Sequence, residues 1–125
     1  MACPFFLPLA RLNNDQWIHA PRLPLGDVYR GECRASAEPF EPAEQEQREL
    51  CNCGYAHGRC TRFPEGAPDA ARFSLIEDSK VVWIVERDHS PIEFGFDEPR
   101  DEILAAQRRA FLESHRRRLA IAAGA

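Results

Sequence analysis

Residues 72–86, RFSLIEDSKVVWIVE, decide the fold of this 125-residue chain. The segment Lys80 to Glu86 consists largely of β-branched and aromatic residues, which are enriched in strands. Arg72 to Glu77 alternates apolar and polar residues less regularly, but it also favours a strand. Because Asp78 and Ser79 form a short polar turn between the two segments, the stretch predicts an antiparallel hairpin.

The chain that follows the hairpin is also regular. Ile92 to Phe96 (IEFGF) predicts a third strand, after a turn at His89-Ser90-Pro91. From Pro99 to about Ala123, apolar residues recur at the spacings of an amphipathic helix. Arg116 to Arg118 suit the negative pole at the end of that helix. We therefore expect a short antiparallel sheet of about three strands with a C-terminal helix packed on it.

Residues 1–68 carry most of the prolines of the chain and predict an irregular structure. Proline lacks the N–H group that helices and sheets require, so long regular elements are not expected there. Three short elements are predicted: a helix around Leu9 to Ile18, a strand-like piece from Asp27 to Glu32, and a helix from Pro42 to Leu50. Proline suits the first turn of the last of these.

These elements together predict a small α+β fold in a single domain, residues 1–125. The length is typical of one domain, and a hydrophobic content of 44% is enough for a core. Within this domain, we expect residues 1–68 to form an irregular, cysteine-rich, metal-binding half. Residues 69–125 are expected to form the hairpin, the sheet and the C-terminal helix.

All five cysteines lie in the first half of the chain, at Cys3, Cys33, Cys51, Cys53 and Cys60. An odd number in a chain with no mark of secretion argues against a disulfide framework. Thiolates bind zinc and iron–sulfur clusters, and structural zinc sites usually contain closely spaced pairs such as C-x-x-C. No C-x-x-C pair occurs here, and successive cysteines are separated by 29, 17, 1 and 6 residues. This dispersed spacing favours a [4Fe–4S] cluster, with zinc as the alternative.

The expected ligands are Cys3, Cys33, Cys51 and Cys60. Cys53 is the substitute ligand or a free thiol, because residues two apart share a face only in an extended segment. His57 lies in the same loop, CNCGYAHGRC, and is a further candidate to replace a cysteine. The glycines of this loop would let the backbone approach a cluster closely.

Several classes of function are disfavoured by the rest of the sequence. A net charge of −4 argues against a general nucleic-acid-binding surface. Neither of the common glycine-rich nucleotide-binding patterns occurs. No segment approaches the roughly 20 apolar residues that span a bilayer. The apolar start of the chain is broken by Pro4 and Pro8 and carries no preceding basic residue, so we predict no signal peptide and a cytoplasmic location.

The leading hypothesis is an iron–sulfur protein with a redox role, either electron transfer to a partner protein or redox sensing. The second is a zinc-stabilised module that binds a protein or a nucleic acid through Arg116 to Arg118. The third is a small enzyme that uses the cluster or Cys53 as a working thiol. The sequence alone predicts neither a substrate nor an oligomeric state.

Overall fold

Two antiparallel sheets and a long C-terminal helix make up the described part of this computed structural model, a small α+β fold. The structure describes residues 2–11, 24–25, 29–35, 38–52, 60, 63–64, 68–77 and 80–124. The elements in chain order are β1 (Phe6–Arg11), β2 (Tyr29–Cys33), α1 (Glu44–Glu46), β3 (Ala70–Glu77), β4 (Lys80–Arg87), β5 (Ser90–Gly95) and α2 (Glu102–Gly124). A π-helical segment, Gln47–Asn52, continues α1 without a break.

The larger sheet has the order β3-β4-β5 and confirms the predicted strand pairing. The predicted turn residues Asp78 and Ser79 lie outside the described residues. The turn before β5 differs from the prediction, because Asp88 and His89 both have positive φ, 51° and 63°. Positive φ at both central residues defines the tight hairpin turn that matches the twist of the flanking strands. The third strand therefore begins at Ser90, two residues earlier than expected.

The core is one buried cluster that joins this sheet and α2 to the start of the chain, β1, β2 and the π-helical segment. Val81, Trp83 and Val85 of β4 are buried, and the ring of Phe73 stacks on that of Phe111 of α2 at 5.9 Å between centroids. The helix begins at Glu102 rather than at Pro99, because Oδ1 of Asp101 accepts the Leu104 N–H at 2.9 Å and caps the first turn.

The first half is not irregular throughout, because β1 and β2 pair as a second antiparallel sheet. Leu9 to Arg11 belong to β1 and not to a helix; the remainder of that predicted helix lies outside the described residues. The pairing register shifts immediately after Pro8, and a bulge of this kind is where a strand tolerates proline. Gly31 lies opposite Pro8, and a Cβ atom there would overlap the Leu7 carbonyl oxygen.

The two sheets are joined at the start of the chain. Ala2 pairs with Ala71 of β3 through two backbone hydrogen bonds of 2.9 Å, and β1 begins only four residues later. The intervening turn, Cys3 to Phe6, therefore passes from one sheet to the other. Of the helices in the described ranges, none has the length and apolar character needed to cross a bilayer.

Candidate functional site

The turn Cys3 to Phe6 is the centre of the candidate site. The Phe6 N–H donates to the Cys3 carbonyl at 3.1 Å, and Pro4 takes the second position of the turn, where its fixed φ is favourable. The Cys3 side chain is buried, with 8% of its surface exposed. Burial raises the pKa of this thiol, whereas backbone hydrogen bonds from Phe5 and Phe6 to its sulfur favour the thiolate and lower the pKa.

Cys51 is hydrogen-bonded to this turn through its backbone carbonyl. The Cys3 N–H donates to the Cys51 carbonyl at 3.2 Å. The next residue, Asn52, is 1% exposed, and its side-chain amide makes three hydrogen bonds of 2.9 Å. Two of them are to the backbone N–H and C=O of Tyr29 in β2, and the third is to the carbonyl of Gln47. Asn52 thus fixes the end of the π-helical segment against β2.

Cys33 is the last residue of β2. It lies opposite Phe6 in the β1–β2 pair and forms a separate bridge with Phe40, whose carbonyl accepts the Cys33 N–H at 2.7 Å. The buried side chain of Gln47 accepts the Gly31 N–H at 3.1 Å and donates to the Pro42 carbonyl at 2.7 Å. The strand that carries Cys33 is therefore held on both sides.

Cys60 is the least buried of the four expected ligands. Its carbonyl accepts the Phe63 N–H at 3.2 Å. The Phe63 ring meets the Phe5 ring edge-on, with centroids 5.5 Å apart, and Phe5 belongs to the Cys3 turn. Aromatic pairs of this geometry stabilise beyond simple burial, so the contact connects Cys60 to the centre of the site.

Other thiols of the chain contribute to the pKa values of Cys3 and Cys51. The pKa of Cys3 is raised from 9.0 to about 12, mainly by burial and further by the nearby Cys33 and Cys60. Burial likewise raises the pKa of Cys51 to about 12, with smaller contributions from Cys3, Cys33 and Cys60. A charge shifts the pKa of another group strongly only at short range. We therefore define Cys3, Cys33, Cys51 and Cys60 as the four-cysteine site.

One residue of this site was missed by sequence reasoning. Gln107 of α2 is fully buried, and its Nε2 donates to the carbonyls of Cys3 at 2.7 Å and Phe6 at 2.8 Å. Its Oε1 is buried with no hydrogen-bond partner among the described residues. The signal was a polar residue on the apolar stripe of α2, between Leu104 in the preceding turn and Phe111 in the following one.

The structure places Cys33 and Cys60 near enough to Cys3 and Cys51 to contribute to their pKa values. Their role as ligands stays a prediction; Cys53 and His57 lie outside the described residues. Among the described His, Cys, Asp and Glu residues, no three or more form a group that could hold a metal ion. The chain matches no protein-family model, no curated protein and no solved structure.

Proposed function

We propose that Cys3, Cys33, Cys51 and Cys60 hold a [4Fe–4S] cluster and that the protein has a redox role, in electron transfer or redox sensing. The observation that supports this most directly is that thiols from distant parts of the chain contribute to the raised pKa values of Cys3 and Cys51. Thiolates are the soft ligands that iron–sulfur clusters take, and a [4Fe–4S] cluster takes four of them.

The kind of cluster follows from the number and the distribution of the donors. A [4Fe–4S] core takes one thiolate on each iron, so its ligands surround the core and need not converge on a single atom. The cysteines come from a turn, a strand end, a π-helical segment and a half-buried position before Phe63. No pair of them has the C-x-x-C spacing that structural zinc sites favour.

The surroundings of the thiols suit a redox centre. The cluster would supply an electron acceptor and donor, whose potential depends on hydrogen bonds to its sulfurs and on solvent exposure. The Phe5 and Phe6 N–H groups already point to the Cys3 sulfur, and three of the thiols are buried. Burial disfavours the more negative, reduced state, whereas hydrogen bonds to sulfur favour it, so the turn at Cys3 is where this chain would adjust the potential.

A route for electrons is suggested by the unequal burial of the ligands. Cys3, Cys33 and Cys51 are buried, whereas Cys60 is half-buried. A partner protein would therefore approach the site on the side of Cys60, the least buried of the four thiols. The buried thiols must lose their protons when they bind metal, so binding releases protons and weakens at low pH.

The experiment is the content of iron and acid-labile sulfide, with a visible spectrum, in protein purified without oxygen. We expect about four irons and about four sulfides per chain, the stoichiometry of a [4Fe–4S] centre. Stoichiometric zinc without sulfide would contradict the proposal and favour a zinc-stabilised interaction module. The absence of both metals would also contradict it.

A further inference from the structure

A second candidate site lies away from the cysteines, in a cavity of about 360 Å³ between β1 and α2. None of the described cysteines lines it. Its volume is within the range of small-molecule sites. Ala106 and Ala110 of α2 leave space in its wall because their side chains end at one methyl group.

The cavity has the opposite charge to the chain as a whole. Arg11, Arg109 and Arg117 line it, with Glu113 as the one acidic residue among its described lining residues, whereas the chain has a net charge of −4. On α2, positions 109, 113 and 117 follow at intervals of four and share a face. Arg11 is paired with Tyr29 across the β1–β2 ladder, so both side chains lie on the same side of that sheet.

Arg109 forms a weak ion pair with Glu98, which is not among the residues that line the cavity. Arg109 contacts Glu98 at 3.5 Å, and the two side chains are 61% and 56% exposed. Exposed pairs of this kind contribute little to stability because water and salt screen them. An anion with a higher charge density than a single carboxylate can therefore replace Glu98.

The hydroxyl groups of the inner wall are already paired with each other and with the backbone. The Tyr29 hydroxyl donates to the Ala110 carbonyl at 2.9 Å and lies 2.6 Å from the Ser114 hydroxyl. Because the Tyr29 hydroxyl donates its hydrogen bond to the Ala110 carbonyl, its oxygen accepts a hydrogen bond from the Ser114 hydroxyl. Recognition is thus left to the guanidinium groups, which bind phosphate or carboxylate oxygens two at a time.

We infer that this cavity binds a small phosphate-bearing anion. Guanidinium groups from both β1 and α2 in one cavity suit a phosphate better than a carboxylate, because phosphate carries more charge and more acceptor oxygens. This assignment goes beyond the proposed redox role and does not depend on what the four-cysteine site holds.

The test is calorimetric titration of the full-length protein, purified without oxygen, with inorganic phosphate at constant ionic strength. Arg109→Gln and Arg11→Gln should each weaken binding about tenfold or more, since each removes a charge-assisted hydrogen bond. The matched control is Arg116→Gln, which removes the same charge from an exposed position of α2 outside the cavity. The control should bind phosphate within about twofold of the unmodified protein, because a screened surface charge has little effect.

Three outcomes would overturn the assignment: no saturable binding of phosphate, equal weakening in the Arg116→Gln control, or tighter binding of succinate than of phosphate. All three substitutions are at exposed or cavity-lining positions, so the fold should persist. Circular dichroism checks this, and the two cavity variants act as independent tests of one another.

Discussion

The β3–β4–β5 sheet and the four-cysteine site are stabilised in different ways. In the sheet, consecutive strands pair with their neighbours in sequence, and buried Val81, Trp83 and Val85 face the core. In the four-cysteine site, contacts join residues far apart in sequence. Asn52 binds Tyr29, 23 residues away, and Gln107 binds Cys3 and Phe6, 104 and 101 residues away.

The difference shows where each region obtains its stability. Burial of apolar side chains is roughly proportional to area and does not depend on exact geometry. A buried amide stabilises only when its partners are in place, and losing one partner leaves the other unsatisfied. The four-cysteine site therefore depends more on an intact set of polar contacts than the sheet does.

The largest effect is expected from removing the proposed cluster. Stripping it with a chelator and an oxidant should strongly reduce amide protection from hydrogen exchange in β1, β2 and the π-helical segment. Protection in β4 should change much less, because its strand partners are local. Hydrogen exchange followed by mass spectrometry measures both regions in one experiment, and equal loss in both would show that the two regions are not separately stabilised.

The next largest effect is expected for Asn52→Leu, which removes three buried hydrogen bonds at nearly constant volume. The Tyr29 N–H and C=O would be left without this partner, so we expect a loss of about 2–4 kcal/mol in the free energy of unfolding. The control is Glu41→Ala, which removes an ion pair with Arg30 whose side chains are both 50% exposed. The control should stay within about 0.5 kcal/mol, and a similar loss in both variants would contradict the role given to Asn52.

The sheet is tested by Gly95→Ala. A Cβ atom at this position would stand 2.5 Å from Cζ2 of Trp83, and the indole N–H of Trp83 is held by the Asp97 carbonyl at 2.7 Å. Overpacking of this kind should cost about 1–3 kcal/mol of unfolding free energy. Iron content should be unchanged, unlike in Asn52→Leu, and loss of iron in the Gly95 variant would show that the two regions are coupled. Ser74→Ala, at an exposed position of β3, is the control.

Much of the sheet was predictable from sequence because its determinants are local. The β-branched run of β4 and the strands that pair with it form one continuous stretch of the chain. The strand-like piece predicted over Asp27 to Glu32 corresponds to β2. Its pairing with β1 was not predicted, because a helix was expected from Leu9 and partners such as Phe6 and Cys33 are distant in sequence. The four cysteines were chosen by residue type and spacing, and their role as ligands stays a prediction. Asn52 and Gln107 were not, since a buried amide has no local sequence pattern.

The smallest effect is a dependence of stability on pH in the metal-free, reduced protein. Burial holds the pKa of Cys3 and Cys51 at about 12, against 9.0 for an ordinary thiol. Between pH 9 and about pH 12, these two thiols are deprotonated in the unfolded chain but still protonated in the folded chain. The contribution of these thiols to stability is therefore complete below about pH 9 and falls as the pH rises towards about 12.

Urea unfolding midpoints measured from pH 8 upward should show this decline. In a Cys3→Ala, Cys51→Ala double variant the decline should be shallower, because the two raised pKa values are gone. Lysine and tyrosine side chains titrate in the same pH range. The contribution of the two thiols is therefore the difference in slope between the unmodified protein and the double variant. An identical slope in both would show that these thiols do not contribute.

The most direct test of the four-cysteine site is the iron and sulfide content of five single variants, each with one cysteine replaced by serine. We predict that Cys3→Ser, Cys33→Ser, Cys51→Ser and Cys60→Ser each lose most of the iron and sulfide. Cys53→Ser should retain the content of the unmodified protein. Loss of the cluster in Cys53→Ser, with retention in one of the other four, would contradict the ligand set proposed here.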